Sequence, residues 1–138
     1  QRYEETGHLT CVSEAPIDQP PWFTYQGYNI DSANGPRWPV DAAVTERRWQ
    51  TDEFADKFRM ISSKAAYLWY AERGDDYARK VRALVRQKAP SEKYGFRSGI
   101  YERSGRPPNL MDVNTNAAVL EAVAYVLSGR KPLSEITL

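Results

Sequence analysis

The chain has 138 residues, 41% of them hydrophobic, with a formal net charge of +1. That suffices for one domain with its own core, and the balanced charge argues against a dedicated nucleic-acid binder. A single cysteine, Cys11, cannot form an internal disulfide, a single histidine, His8, cannot build a His-based metal site, and no run approaches the ~18 apolar residues of a membrane span.

The chain opens on Gln1 rather than Met, with no signal peptide in view, so an upstream segment is expected. Residues 1–60 read as irregular. Pro16, Pro20, Pro21, Pro36 and Pro39, with Gly27 and Gly35, interrupt any long helix. Trp22, Phe23, Tyr25, Tyr28 and Trp38 cluster here. Rings on loops can stack on sugar faces or plug a core beneath the loop, and for any single ring the plug is the commoner outcome. "DAAVTERRW" (41–49) reads as a short helix.

The second half is helical. "ISSKAAYLWYAERG" offers Ser62 or Ser63 as an N-cap and Gly74 as a stop, and its apolar residues surround the axis, which marks a buried helix. "DDYARKVRALVRQKA" carries one apolar stripe, Tyr77, Val81, Leu84 and Val85, so it is an outer helix. Asp75–Arg79 and Asp76–Lys80 are spaced as i,i+4 ion pairs on its solvated face. Residues 90–112 form a loop, with a small β-hairpin around "YGFRSGIYERSG". The last helix, 115–127, is apolar all round except for Glu121, which must be paired, hydrogen-bonded or protonated if it is buried. Its expected role is to brace the interior.

Two internal similarities stand out. "SSKAA" (62–66) and "NTNAA" (114–118) open the two apolar helices alike. "YEETG" (3–7) and "YERSG" (101–105) share a pattern, and a carboxylate follows ten positions after each Glu: Glu14 after Glu4, Asp112 after Glu102. Such repetition suggests a repeated unit of inner helix, outer helix and loop. The expected fold is therefore all-α, with the polar caps and loops gathered at one end as a site.

"VSEAPIDQPPWFTYQ", "ISSKAAYLWY" and "NTNAAVLEAVAYVLSGRKPL" together resemble the C-terminal part of the bacterial domain-of-unknown-function family 3131 (DUF3131), from about Tyr3 to Leu133. The resemblance implies a partial α/α toroid of inner and outer helix hairpins, related to six-hairpin glycosidases. Residues 1–138 would then be a single domain, the C-terminal fragment of a longer toroid. It also implies a periplasmic, envelope-associated or secreted location. Ala15 and Ser63 stand where the family pattern usually carries an acid and a threonine.

The resemblance implies a carbohydrate partner and glycoside-hydrolase-like chemistry. Such hydrolysis takes two carboxyls, ~5 Å apart for retention or roughly 6.5–9.5 Å for inversion, one protonated and one ionised. Glu102 is the candidate acid, with Glu14 or Asp112 as base. Asp18, Trp22, Phe23, Tyr25, Lys64, Tyr101, Asn114 and Asn116 are the candidate substrate contacts. Lys64 is also placed to pair with Glu14, and one of Asn114 and Asn116 is expected to serve only as a cap. No metal and no cofactor is called for. The alternative function is a non-catalytic polysaccharide-binding or scaffold module of the envelope. A third is an interaction domain whose mouth is filled by its own loops. Inner-helix faces left bare in a partial toroid would favour self-association or cover by the missing upstream part.

Overall fold

The computed structural model describes residues 2–24, 29–30, 38–39 and 51–135. The helices are α1 (Arg2–Thr6), α2 (Asp52–Phe58), α3 (Ser63–Glu72), α4 (Asp76–Lys88) and α5 (Val113–Leu127). The strands are β1 (Ala15–Pro16), β2 (Phe23–Thr24), β3 (Asn29–Ile30), β4 (Trp38–Pro39), β5 (Met60–Ser62) and β6 (Gly99–Tyr101). They pair antiparallel as β1–β2, β3–β4 and β5–β6. The expected helix at 41–49, and the rings of Tyr25, Tyr28 and Trp38, lie outside the described residues.

The fold is thus mixed, and the expected all-α toroid is overturned by these three pairings. The expected hairpin around residues 94–105 is also corrected. β6 pairs instead with the distant β5, in the register Met60↔Tyr101, Ile61↔Ile100, Ser62↔Gly99. Every residue of both strands is buried. A strand covered on both faces shows no alternation of apolar and polar residues, so its period is hidden in the sequence. Gly99 makes the pairing close, since a Cβ there would sit 2.3 Å from the Ile61 carbonyl oxygen.

The ladder joins two cores. Met60 and Tyr101 face a small cluster with Ala15, Ile17, Phe54 and Phe58. Ile61 and Ile100, one residue along, face the larger cluster under the helices, as strand alternation requires. In that cluster α3 lies between α4 and α5, contributing Ala66, Tyr67 and Ala71. α4 presents the expected stripe, with Val81 and Val85 buried and Tyr77 and Leu84 packed at its edge.

Local chemistry sets the helix ends. The Ser62 hydroxyl accepts from the Ala65 N–H at 3.3 Å and caps α3. Asp75 caps α4 by accepting from the Ala78 N–H at 2.8 Å. The expected i,i+4 pairs do not form. Asp75 takes Arg73 instead (2.8 Å), because a capping carboxylate is turned back toward the helix start, and Asp76 takes Arg79 at 3.5 Å.

α5 is covered on one side only. Thr115, Val119 and Ala122 are buried against the core, while Val113, Leu120 and Leu127 are 87%, 70% and 82% exposed. Leu68 and Trp69 of α3 are also partly exposed. The helices read as buried from their apolar residues are thus each open on one side, as was also expected of a fold with inner-helix faces left bare. Glu121 lies on the exposed side, so it braces no interior.

Candidate functional site

The β1–β2 hairpin organises most of the candidate residues. Ala15 and Ile17 point inward and are 1% and 0% exposed. Strand alternation therefore turns Glu14, Pro16 and Asp18 to the other face. The register sets Ala15 opposite the buried Thr24 and Pro16 opposite Phe23, so Phe23 joins the outer face. Trp22 precedes it with φ +70°, a left-handed backbone uncommon for a residue with a side chain, and its indole is 62% exposed. The Trp22 carbonyl accepts from the Ile17 N–H at 3.0 Å, and its own N–H donates to the Gln19 carbonyl at 2.8 Å. The indole is thus presented outward by a closed turn.

Three anchors pin the hairpin to the body. The Ser98 hydroxyl donates to the Pro16 carbonyl at 3.0 Å. The Asp18 carboxylate accepts from the Tyr101 hydroxyl at 2.9 Å and from the Asn109 N–H at 2.7 Å. Burial, and then the hydrogen bond to Asp18, push the Tyr101 phenol up to about 12. Finally, Lys64 donates to Glu14, and its ammonium also reaches the Asn114 side-chain oxygen at 3.1 Å. The Lys64 hydrogen bond holds the Glu14 carboxyl below the usual carboxylate value. The hairpin, the start of α3 and the start of α5 therefore meet in one polar cluster.

The remaining candidates fall elsewhere. Tyr101 is 8% exposed, and its hydroxyl is used as an anchor. Asn116 is a clamp between segments. It accepts from the Phe96 N–H at 2.8 Å and donates to the carbonyls of Phe96 and Asp112 at 2.9 and 3.0 Å. Asp112, rather than Asn114 or Asn116, caps α5, with one oxygen accepting from the Thr115 N–H at 2.7 Å. Its second oxygen is buried and has no hydrogen-bond partner. Tyr25 lies outside the described residues.

Glu102 sits apart from Glu14. Its oxygens are held by Arg2 at 3.0 Å and by the Thr10 hydroxyl at 2.7 Å, and its side chain is 9% exposed. Its N–H bonds the Arg59 carbonyl, just before β5, whereas Glu14 is bound at Lys64, just past the end of β5. At about 3.3 Å per residue, the ladder puts on the order of 10 Å between those levels. The sequence similarity between the two Tyr-Glu turns does mark real structure here. The Gly7 and Gly105 N–H groups each donate to the Tyr carbonyl four residues back at 2.8 Å, and both glycines have positive φ. Both line one crevice of about 430 Å³, with Arg2, Lys88 and Glu102.

Reasoning from sequence alone missed Arg2, Thr10, Ser98 and Asn109, which carry the anchoring bonds. Only the repeated Tyr-Glu turn signalled any of them, since it brings the chain start beside Glu102. Among the described residues no group of three or more His, Cys, Asp or Glu side chains could hold a metal ion, and no helix is long and apolar enough to cross a membrane.

The model of a family described as "protein of unknown function (DUF3131)" matches residues 1–129, and the chain belongs to that family. No curated protein and no solved structure matches it.

Proposed function

We propose that this chain is a carbohydrate-active protein that engages a bacterial polysaccharide along the outer face of the β1–β2 hairpin. The observation that carries the proposal is the exposed Trp22 indole, held outward by the closed turn of a hairpin whose Glu14 is bound by Lys64, which also reaches Asn114. An aromatic face stacks on the apolar face of a pyranose ring, and nearby carboxylate, ammonium and amide groups suit its hydroxyls. An envelope or secreted setting goes with such a substrate and belongs to the same proposal.

A second reading, hydrolysis, is favoured by one specific feature. Glu14 is kept ionised by Lys64, the state required of a base or nucleophile. Asp112, two residues from the Lys64 partner Asn114, retains an unpartnered oxygen.

The test is a panel of α- and β-linked bacterial glucans and other envelope polysaccharides, offered to the parent, Trp22→Ala and Glu14→Gln. Binding is read by affinity electrophoresis and products by mass spectrometry. Binding lost in Trp22→Ala is the expected result. Oligosaccharides released by the parent but not by Glu14→Gln would add the hydrolytic role. Binding that is indifferent to Trp22→Ala, or no binding at all, would sink the proposal.

A further inference from the structure

We propose that the crevice between the two Tyr-Glu turns binds a small organic carboxylate with an apolar body. The inference is independent of the carbohydrate reading, since none of Glu14, Trp22, Lys64 and Asn114 lines the crevice. Its volume of about 430 Å³ falls within the usual range of small-molecule sites, roughly 300–1,000 Å³. Segments distant in sequence build it: the chain start, the last turns of α4 and the turn after β6. Gly7 and Gly105 shape its mouth with left-handed backbone, φ +71° and +65°, which glycine adopts without steric cost. A Cβ on Gly7 would meet nothing within 4 Å, so the space beside that turn is open.

The charges decide the sign of the ligand. Three cations, Arg2, Lys88 and Arg103, line the crevice with two carboxylates, Asp56 and Glu102, which leaves an excess of one positive charge with His8 neutral. Both carboxylates are engaged. Glu102 accepts from Arg2 and Thr10, and Asp56 faces Arg103 at 3.6 Å. Lys88 is left over. Its ammonium lies 3.6 Å from the position that a Cβ on Gly105 would take, and it has no hydrogen bond or ion pair among the described residues. The C-terminal end of α4 favours that charge but leaves its three N–H donors unmet. One surplus positive charge matches one carboxylate. A phosphate ester carries about −1.5 to −2 at pH 7 and would overshoot it beside two carboxylates.

The lining decides the body of the ligand. Leu9 and Leu84, both partly buried, and the buried Ile61 and Ile100 supply aliphatic surface. The carboxylate oxygens that could accept from ligand hydroxyls are already taken by Arg2, Thr10 and Arg103. A polyol in the crevice would therefore leave hydroxyls short of side-chain acceptors, whereas an apolar ring would exchange water for aliphatic contacts.

The experiment is an amide-shift titration of the isotope-labelled full chain, followed by nuclear magnetic resonance. The probes are benzoate, benzamide and phenyl phosphate, which share one ring and differ in charge. Benzoate should move the Gly7 and Gly105 amide signals with a dissociation constant on the order of 1 mM. Benzamide should not move them, and phenyl phosphate should bind no more tightly than benzoate. Lys88→Gln should weaken benzoate about tenfold or more, the share of one charge-assisted hydrogen bond. Because Lys88 is exposed, that variant should keep the melting temperature of the parent. Lys93→Gln makes the same charge change outside the crevice and should leave benzoate binding unchanged. No shift with benzoate at either glycine, an equal shift with benzamide, tighter binding of phenyl phosphate, or equal effects of Lys88→Gln and Lys93→Gln would each overturn the proposal.

Discussion

Replacing Lys64 by Met should cut the link between the β1–β2 hairpin and the starts of α3 and α5. The size of the effect follows from exposure. The Lys64 side chain is 12% exposed and that of Glu14 is 45% exposed. Exposed pairs contribute about 0.2–1 kcal/mol, while removing one partner of a fully buried pair costs about 3–5 kcal/mol. Water reaches nearly half of the Glu14 carboxylate, so the screened coupling belongs near the lower range, about 1 kcal/mol. The assay is a double-mutant cycle of parent, Glu14→Gln, Lys64→Met and the double variant, by urea denaturation. The sign of the pH dependence is fixed by the lowered Glu14 value. A carboxyl that ionises more easily folded than unfolded adds stability above its unfolded value, here 4.5, and loses it as pH falls through the lower folded value. The coupling should therefore be full near pH 7 and shrink as the solution is acidified below pH 4.5. A coupling below about 0.3 kcal/mol at neutral pH, within the usual additivity error, would refute the anchoring role. So would a coupling that grows on acidification.

Cys11 should be inert to thiol reagents in the native protein and react only on unfolding. Burial, and then the Glu102 carboxylate, push its thiol up to about 12, which leaves roughly one thiolate in ten thousand at pH 8. The same shift, with its ordinary value of 9.0, means that the stability from keeping Cys11 neutral is complete below pH 9.0 and lost as pH rises toward 12, as alkaline titration of the circular dichroism would show. Gly99→Ala should destabilise by about 2 kcal/mol or more, because the new methyl meets backbone at Ile61 that cannot turn aside, and a thermal melt checks it. Asn116→Ala should cost about 2–3 kcal/mol in urea by leaving the Phe96 amide and carbonyl without their side-chain partner in a part-buried site. Tyr101→Phe should cost about 1 kcal/mol, less than a fully buried bond to a charged group, since Asp18 is open to water and keeps the Asn109 N–H.

Where local chemistry decides the outcome, the sequence was readable. Ser62 caps α3, Gly74 ends it with φ +59°, and the stripe on α4 packs as its spacing requires. The repeat of "SSKAA" in "NTNAA" holds in burial, since Ser63 and Thr115 are 0% and 1% exposed, but not in capping. Asp112 takes the cap of α5 two residues earlier than the motif suggests, because a carboxylate competes well for free N–H groups. What could not be read was set by distant partners. β5 and β6 are buried on both faces and show no period, and Gly99 signals nothing until Ile61 lies opposite. The apolar character of α5 was visible, and so was the prospect of a bare face, but not which residues would carry it, since Val113, Leu120 and Leu127 read in sequence like the buried Val119.

The placement of the carboxyls narrows the choice between enzyme and binding module. A glycosidase needs a protonated acid and an ionised partner across one bond. Glu102 is a poor acid for the hairpin face. Arg2 and the Thr10 hydroxyl occupy its two oxygens, and the β5–β6 ladder separates it from Glu14. Glu14 is held in the ionised role by Lys64 and cannot also serve as the acid. Within this chain only Asp112 then remains from the candidate set, and one of its oxygens is committed to the α5 cap. Hydrolysis by these residues alone must therefore run through a capping carboxylate. Asp112→Asn separates the cases without removing the cap, because an asparagine oxygen still accepts from the Thr115 N–H. In a hydrolase it should abolish turnover and leave polysaccharide binding and melting temperature near those of the parent. In a binding module it should change neither.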